Sequence, residues 1–330
     1  MVVTKPLVLV LGATGYTGSS IVKGLVASGN FRVAALVRPA SLSKPAVEQL
    51  RASGVEIRTG DILDSTPKLK EALAGVDILI SAVDGLLVPA QEALFRAAKE
   101  LGTVKRVIPC DFGTPGRKGV RELSDQKLAI RELIEELGLP YTFIDVGWWM
   151  QLALPLPARS KVPPAFKQWT YELHGSGTQK MLLTDHRDIG AYVARIVADP
   201  RTLNKAVIVW EDERTEEEIH EIGERFSGEA DDLKAKRSYV SAEEITRRIA
   251  EGKAELEKDP KNIFYVFQVH GHGYFYSLYI LGENSLENSK RLGYLDAREL
   301  YPDAPRRSLE DFAKEYYSLE EPGAEYLRGN

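Results

Sequence analysis

The amino-acid sequence predicts an α/β protein with a Rossmann-type, doubly wound parallel sheet and a smaller C-terminal α/β region. Three observations lead to this prediction. An apolar run over 7–13 precedes a glycine-rich turn, as expected for a parallel strand buried on both faces. Strand patterns then alternate with helical patterns, and this alternation stops after Val146. Alternating strands and helices form right-handed βαβ units, which place helices on both faces of one sheet.

Each repeat in the first half contains one strand and one helix. After the first strand, a helical stripe of apolar residues ends at Gly29. The remaining predicted strands are 31–37, 55–58, 76–83, 104–110 and 140–146. The helical patterns between them are 44–53, 67–74, 88–101 and 121–137. We therefore predict a nucleotide-binding Rossmann domain over 1–150 and a substrate-binding region over 151–330, interleaved with that domain.

The second half follows a different pattern. A proline-rich stretch over 152–166 cannot form one continuous helix. Beyond it, the sequence predicts a strand, a helix that is capped by Asp185 and ends before Pro200, and another strand. Charged helical stretches follow, with Thr215 and Ser241 as expected N-caps.

Composition excludes several classes of protein. With 43 basic and 48 acidic side chains, the net charge of −5 lacks the basic excess of a duplex nucleic-acid binder. A single cysteine, Cys110, allows no intrachain disulfide and no multi-cysteine metal cluster, so no metal site is predicted. The uncharged stretch 262–282 contains polar residues and glycines that a bilayer would penalise. Without a signal-peptide pattern, we expect a cytoplasmic protein with no membrane contact.

The motif GATGYTG over 12–18 lies between the first strand and the first helix. Glycines allow a tight turn and a close approach of the backbone to a pyrophosphate, and the helix N-terminus favours negative charge. A purely structural turn also recruits glycine, but the position after a buried strand favours dinucleotide binding. The predicted contacts with the cofactor are Gly12, Thr14, Gly15, Tyr16, Thr17 and Gly18.

The second strand ends in a cation. Arg38 stands twenty residues after Gly18, where an acidic residue would bind the ribose 2′-hydroxyl of NAD. An arginine instead offers its planar guanidinium to a 2′-phosphate, so the sequence favours NADPH/NADP+ as the cofactor. Lys44 either adds a second cation or is a solvated loop charge. Asp61 either contacts the adenine or caps a turn.

Several motifs together resemble the isoflavone reductase-like, NmrA-like group of atypical short-chain dehydrogenases. The resemblance covers nearly the whole chain and rests on GATGYTG, LVRPAS at 36–41, CDFG at 110–113, GSGTQK at 175–180 and DIGAYVARIVADPRTLNK at 188–205. Ordinary short-chain dehydrogenases carry a tyrosine four residues before the catalytic lysine. Here Leu123 occupies that position before Lys127.

The resemblance implies roles for individual residues. Lys127 would contact the nicotinamide ribose and act as general acid or base; its alternative is a helix-face or ribose-fixing role. Gln91 would lie near the cofactor, and Phe112 and Trp149 would line its nicotinamide end. The implied activity is an NADPH-dependent reduction, in which hydride passes to a small aromatic or phenylpropanoid-like substrate carrying a benzylic ether, enone or carbonyl.

Other features remain open at the level of sequence. Where the plant enzymes of this group carry small polar residues, this chain reads Gly-Trp-Trp-Met over 147–150. We expect Trp148, Trp149, Met150 and His270 to contact substrate. His270 and His272 are a second acid–base candidate but a weak metal signal. The alternative function is a non-catalytic, NADP(H)-sensing NmrA-like regulator that binds a partner protein. A homodimer is expected for enzymes of this kind.

Overall fold

The computed structural model describes residues 4–323. Its strands are β1 (Leu7–Leu11), β2 (Arg32–Val37), β3 (Glu56–Thr59), β4 (Ile78–Ser81), β5 (Arg106–Ile108), β6 (Thr142–Val146), β7 (Trp148–Trp149), β8 (Glu172–His174), β9 (Met181–Thr184), β10 (Lys205–Val209), β11 (Asp212–Arg214), β12 (Ser238–Val240) and β13 (Leu295–Asp296). Residues 1–3 and 324–330, the outer ends of the two predicted domain ranges, lie outside the described residues.

The helices separate these strands and cover the sheet. They are α1 (Tyr16–Ser28), α2 (Pro45–Ala52), α3 (Thr66–Ala72), α4 (Gln91–Leu101), α5 (Glu122–Glu136), α6 (Pro164–Trp169), α7 (Ile189–Ala198), α8 (Glu216–Ser227), α9 (Ala230–Lys236), α10 (Ala242–Lys258), α11 (Ile263–Phe275), α12 (Leu286–Arg291), α13 (Ala297–Leu300) and α14 (Leu309–Ser318). A π-helical turn, Tyr276–Ile280, extends α11.

The central sheet is parallel and has the strand order β3-β2-β1-β4-β5. Its order reverses next to β1, which creates the crevice where ligands bind in such sheets. Every residue of β1 is buried because its side chains alternate between two apolar cores. Val8 and Val10 pack on the face covered by α1 and α7, whereas Leu9 packs on the face covered by α3, α4 and α5. The predicted α/β fold class is confirmed.

A strand pair and a helix pair are each formed from both predicted regions. Strand β6 lies before residue 150, yet it pairs in parallel with β10 from beyond that residue. Helix α7 packs against α1, where an added Cβ at Gly24 would lie 2.0 Å from the carbonyl oxygen of Gly190. Only glycine allows the two helices to approach this closely. The division at residue 150 stays a prediction.

The helix N-caps predicted for the second half of the chain are partly correct. Thr215 and Ser241 each accept a hydrogen bond from the backbone three residues on, so both predicted caps are confirmed. The predicted cap at Asp185 is wrong in position: α7 begins at Ile189, and Asp185 Oδ1 accepts a hydrogen bond of 2.9 Å from the Arg187 N–H in the turn before the helix. Within residues 4–323, no helix is both long and apolar enough to cross a membrane.

Candidate active site

The glycine turn after β1 is fixed by sterics. Gly12 has a φ of +72°, and an added Cβ there would lie 2.1 Å from the carbonyl oxygen of Ala82. An added Cβ at Gly18 would lie 2.0 Å from the carbonyl oxygen of Gly12. The turn closes through a hydrogen bond of 3.0 Å from the Gly15 N–H to the Gly12 carbonyl. Glycine is therefore required both for the backbone conformation and for the packing of α1 on β1.

A cavity of about 610 Å³ opens beside this turn, and we call it the turn cavity. It runs along the C-terminal ends of β1, β2 and β4, the edge at which a doubly wound sheet binds its ligand. The predicted residues that line it are Gly12, Thr14, Gly15, Tyr16, Thr17, Arg38, Lys44 and Trp149. Gly18 lies behind it in the contact between turn and helix.

The turn cavity has the polarity that a phosphorylated dinucleotide requires. Arg38 and Lys44 are exposed at its rim, where they could form ion pairs with a phosphate group. Asp61 caps a turn, since its Oδ1 accepts a hydrogen bond of 3.0 Å from the Leu63 N–H; it also lines the cavity, and its contact with the adenine stays a prediction. These residues, together with the glycine turn, fit NADP(H).

A second cavity of about 250 Å³ adjoins the first, and we call it the lysine cavity. Both cavities have Thr17 and Trp149 in their walls, so the lysine cavity lies directly beside the turn cavity. The lysine cavity is also lined by Phe112, Lys127 and Trp148. The structure therefore brings these predicted residues together at the inner end of the turn cavity.

Lys127 projects from α5 toward the loop after β5. Its Nζ donates a hydrogen bond to the carbonyl oxygen of Asp111. An added Cβ at Gly113 would lie 3.2 Å from that Nζ, so glycine leaves room for the ammonium group. Phe112 has a φ of +31°, a rare conformation for a bulky residue. Strain of this kind concentrates at functional sites, and here it accompanies the loop that holds the lysine.

A buried ion network supports this loop from behind. The Arg131 guanidinium lies 3.1 Å from Asp111 Oδ2 and 2.7 Å from Asp145 Oδ1. Tyr294 completes the network: its hydroxyl donates to Asp145 Oδ2 at 2.5 Å and accepts from Arg131 at 2.6 Å. Burial raises the pKa of Asp111 to about 6, although the charge of Arg131 opposes this shift. Arg131 thus joins the lysine loop to β6 and to the second region.

Gln91, predicted to lie near the cofactor, supports the loop at Cys110 instead. Gln91 is buried, and its side chain accepts from the Cys110 N–H at 2.8 Å and donates to the Val88 carbonyl at 3.1 Å. Gln91 therefore acts on the site through the Cys110 loop and lines neither cavity. Burial raises the pKa of the Cys110 thiol to about 11, which makes it a poor nucleophile.

Two candidate substrate contacts lie elsewhere. Met150 is fully buried in an apolar core with Leu278 and Phe312. His270 is exposed on α11 and lines neither cavity, because its position on the helix faces away from them. His272 is buried and hydrogen-bonds the Gln268 carbonyl, and burial lowers its pKa to about 4. We therefore remove Met150 and His270 from the candidate substrate contacts.

Tyr274 is a site residue that sequence reasoning missed. It lines the lysine cavity, and its ring packs on Trp148 with a centroid distance of 5.2 Å. The Arg121 guanidinium lies over the Tyr274 ring, 4.1 Å from its centroid. The aromatic density of 262–282 was the available signal, but only packing selects which of those rings reaches the site. Among residues 4–323, no group of three or more His, Cys, Asp or Glu side chains is arranged to hold a metal ion.

The sheet order, the glycine turn and the two joined cavities define a Rossmann-type nucleotide-binding protein. The chain belongs to the NmrA-like family, whose model matches residues 4–313. This membership confirms the resemblance found in the sequence motifs.

Several similar proteins are named as reductases or dehydrogenases. The chain is 37% identical to asnovolin J 5′,6′-dehydrogenase of Aspergillus novofumigatus over 93% of this chain and 94% of that protein. It is 29% identical to a probable pinoresinol–lariciresinol reductase of Arabidopsis thaliana over 93% and 96% of the two chains. A solved structure with NADP+ and (+)-pinoresinol is 26% identical, with a TM-score of 0.74 and coverage of 94% and 98%. The chain is therefore an oxidoreductase.

Proposed function

We propose that this protein is an NADPH-dependent reductase that transfers a hydride to a small aromatic or phenylpropanoid-like substrate. The observation that carries the proposal is the junction of the turn cavity with the lysine cavity at Trp149. A dinucleotide laid along the turn cavity would reach the lysine cavity with its nicotinamide end. The aromatic side chains of Trp148, Trp149 and Tyr274 in that cavity suit a flat, apolar substrate.

NADP(H) is the cofactor that the turn cavity fits. The backbone N–H groups at the start of α1 would hold the pyrophosphate, and Arg38 and Lys44 would hold the 2′-phosphate. When bound, the reduced cofactor supplies the hydride. The related structure with NADP+ and (+)-pinoresinol supports both the choice of cofactor and the aromatic class of substrate.

Lys127 is proposed as the general acid or base. Its Nζ is oriented by the Asp111 carbonyl and lies in the wall of the cavity that receives the substrate. For a para-hydroxyaryl benzylic ether, Nζ as a neutral amine would take the phenolic proton. The phenolate would then expel the benzylic oxygen, so that the C–O bond breaks and leaves a quinone methide whose benzylic carbon accepts the hydride, while the released oxygen regains the proton from Nζ. For an enone or carbonyl, Nζ would deliver a proton to the product. Both roles require one Lys127 amino group at a fixed position, neutral when it accepts the proton and charged when it donates one.

A second candidate function is the reverse reaction on a different skeleton. The relative that is 37% identical is named a dehydrogenase, whereas the plant reductase is 29% identical. This difference favours testing oxidation with NADP+ beside reduction with NADPH. The homodimer and the cytoplasmic location expected from the sequence stay predictions.

The proposed function is tested by nicotinamide turnover with a panel of benzylic ethers, enones, aldehydes and the matching alcohols. We expect the wild type to turn over at least one class, and Lys127→Ala to lower kcat by about 10²–10⁴-fold when it is measured at saturating NADPH. The matched control is Lys118→Ala, an exposed lysine on the loop before α5, which should retain full activity.

Two outcomes contradict the proposal in different ways. Full activity of Lys127→Ala would remove the lysine from the chemistry but leave the reductase in place. Tight NADPH binding without turnover of any compound in either direction would favour the non-catalytic, NADP(H)-sensing regulator. A pull-down with and without NADPH would then identify its partner protein.

A further inference from the structure

A third cavity lies in the second region, and we call it the distal cavity. Its volume is about 290 Å³, and its wall shares Trp148 and Leu152 with the lysine cavity. The remaining wall is largely apolar and includes Phe166, Trp169 and Phe275. An elongated molecule with one end beside Lys127 could therefore extend past Trp148 into this space.

One polar side chain in the distal wall is held in a fixed orientation. His174 ends β8 and is 1% exposed. Its Nδ1 lies 2.8 Å from Glu216 Oε1, and its backbone N–H donates to Glu216 Oε2 at 2.6 Å. The imidazole is stacked on Tyr279 at a centroid distance of 5.2 Å and lies 4.4 Å from the Phe275 ring. One ring hydrogen bond and two ring contacts thus leave the imidazole little freedom.

The opposite nitrogen of this ring has no hydrogen-bond partner. His174 Nε2 is buried and unpaired, which is costly in a folded protein unless a ligand or water completes the bond. Two other polar side chains in the same wall are already satisfied. Gln151 donates to Asp185 at 2.6 Å, and Glu172 accepts from Arg248 at 2.8 Å. His174 is thus the side chain of these three with unused hydrogen-bonding capacity.

The groups around His174 indicate whether Nε2 donates or accepts a hydrogen bond. Glu216 is the first residue of α8, where the helix N-terminus favours a negative charge. Burial raises the pKa of the Glu216 carboxyl, and the two hydrogen bonds that it accepts from His174 oppose this shift by stabilising its ionised form. With Glu216 ionised, Nδ1 carries the proton and donates it, so Nε2 is left as an acceptor. A ligand must then supply a donor, and a hydroxyl group on an apolar skeleton is the donor that suits this wall.

We propose that the distal cavity binds the far end of an elongated substrate through a hydroxyl group that donates to His174 Nε2. The substrate class is a molecule of two or more apolar rings with the reacting carbon at one end and a hydroxyl group at the other. His174 determines specificity, and Glu216 positions its imidazole. The reacting end of this arrangement rests on the proposed function, whereas the hydroxyl contact does not.

Calorimetric titration of 4-hydroxybiphenyl and 4-methoxybiphenyl tests the contact without any nicotinamide present. The two probes share their rings, but only the first can donate a hydrogen bond. We expect the wild type to bind the hydroxyl compound about tenfold more tightly, as one hydrogen bond to a buried acceptor allows. His174→Phe keeps an aromatic ring in the stack, and it should abolish this preference while it leaves affinity for the methoxy compound unchanged.

Glu216→Gln is the second variant. Its amide can donate to Nδ1, which moves the imidazole proton to Nε2. Nε2 then becomes a donor, so the hydroxyl and methoxy compounds should bind equally. The Glu216→Gln variant keeps the His174 ring and its contacts. It therefore tests the proposal even if His174→Phe folds poorly.

The matched control is His272→Phe. His272 is another buried imidazole of the same region, but it does not line the distal cavity. This variant should keep the tenfold preference. Equal affinity of the wild type for both probes, no binding of either, or loss of the preference in His272→Phe would overturn the proposal. Because no cofactor is present, failure here is distinct from failure of the reductase assignment.

Discussion

The turn cavity and the distal cavity are assembled in different ways. The turn cavity is built from short segments that follow β1, β2 and β4, and parallel pairing brings these strand ends to one edge. The distal cavity is built from segments as far apart as Trp148 and Gly323, and no single sheet brings them together. A site at strand ends is therefore visible in the sequence, whereas a site between packed helices is not.

The two regions also differ in their titratable groups. All five histidines lie beyond residue 150, and burial lowers the pKa of three of them, His186, His220 and His272. The charged groups that define the turn cavity are instead exposed cations. The first region thus presents charge to a ligand, whereas burial in the second region keeps these three histidines neutral.

The largest predicted effect concerns Arg131, which connects the two regions. Arg131→Met would leave the buried carboxylates of Asp111 and Asp145 without their common partner. We expect a loss of roughly 5 kcal/mol in the free energy of unfolding, the upper end for a broken buried pair. Chemical denaturation would measure it. The control Arg96→Met removes an exposed pair with Glu92 and should change little; equal losses would contradict the role of the network.

The next prediction compares two glycine substitutions, one that causes both steric overlap and backbone strain and one that causes strain alone. Gly12 and Gly29 both have positive φ, but only Gly12 has a carbonyl oxygen within reach of an added Cβ. Gly12→Ala should cost roughly 3 to 4 kcal/mol and abolish NADPH binding, because strain and overlap add. Gly29→Ala should cost about 1 kcal/mol from strain alone and bind NADPH normally. Thermal unfolding and NADPH titration check both, and similar losses would mean that the close approach has no importance.

The pH dependence of stability should come from the second region. Burial lowers the pKa of His220 from 6.5 to about 3, so the unfolded chain binds a proton at pH values where the folded protein does not. Stability is then complete above pH 6.5 and falls as the pH decreases toward 3. This histidine should account for roughly 2 to 3 kcal/mol between pH 7 and pH 4.

Denaturation of the wild type and His220→Gln at pH 7, 5 and 4 measures this contribution. The variant should lose less stability on acidification than the wild type. His270→Gln replaces an exposed histidine and serves as the control, with the wild-type pH dependence. If His220→Gln also keeps the wild-type slope, the acid sensitivity has another origin.

The smallest effect tests the choice of cofactor at the first region. Arg38→Ala should raise the Kd for NADPH about tenfold, or about 1.4 kcal/mol, and leave the Kd for NADH unchanged. Lys44→Ala should act in the same direction and more weakly, because its flexible ammonium makes one point contact where a guanidinium makes two. Fluorescence titrations with both dinucleotides measure the change. Equal affinity of the wild type for NADPH and NADH would contradict the 2′-phosphate assignment.

Much of the first region was predictable because its signals are local. A buried apolar run, a glycine motif and a terminal cation follow one another along the chain, and each constrains only its neighbours. The caps at Thr215 and Ser241 were correct for the same reason, since a cap bonds the backbone three residues on. Asp185 was misplaced as a helix cap because its carboxylate accepts from the Arg187 backbone in the turn before α7 and from the distant Gln151 side chain.

The sequence by itself determined the parallel sheet, the glycine turn, the cations beside it and the lysine before the sixth strand. Each of these follows from periodicity, backbone sterics or the charge of one side chain. Only the tertiary structure decided that Met150 is core, that Tyr274 reaches the lysine cavity, and that His174 meets Glu216. Those outcomes depend on how helices from distant segments pack, and packing selects one partner among many of similar chemistry.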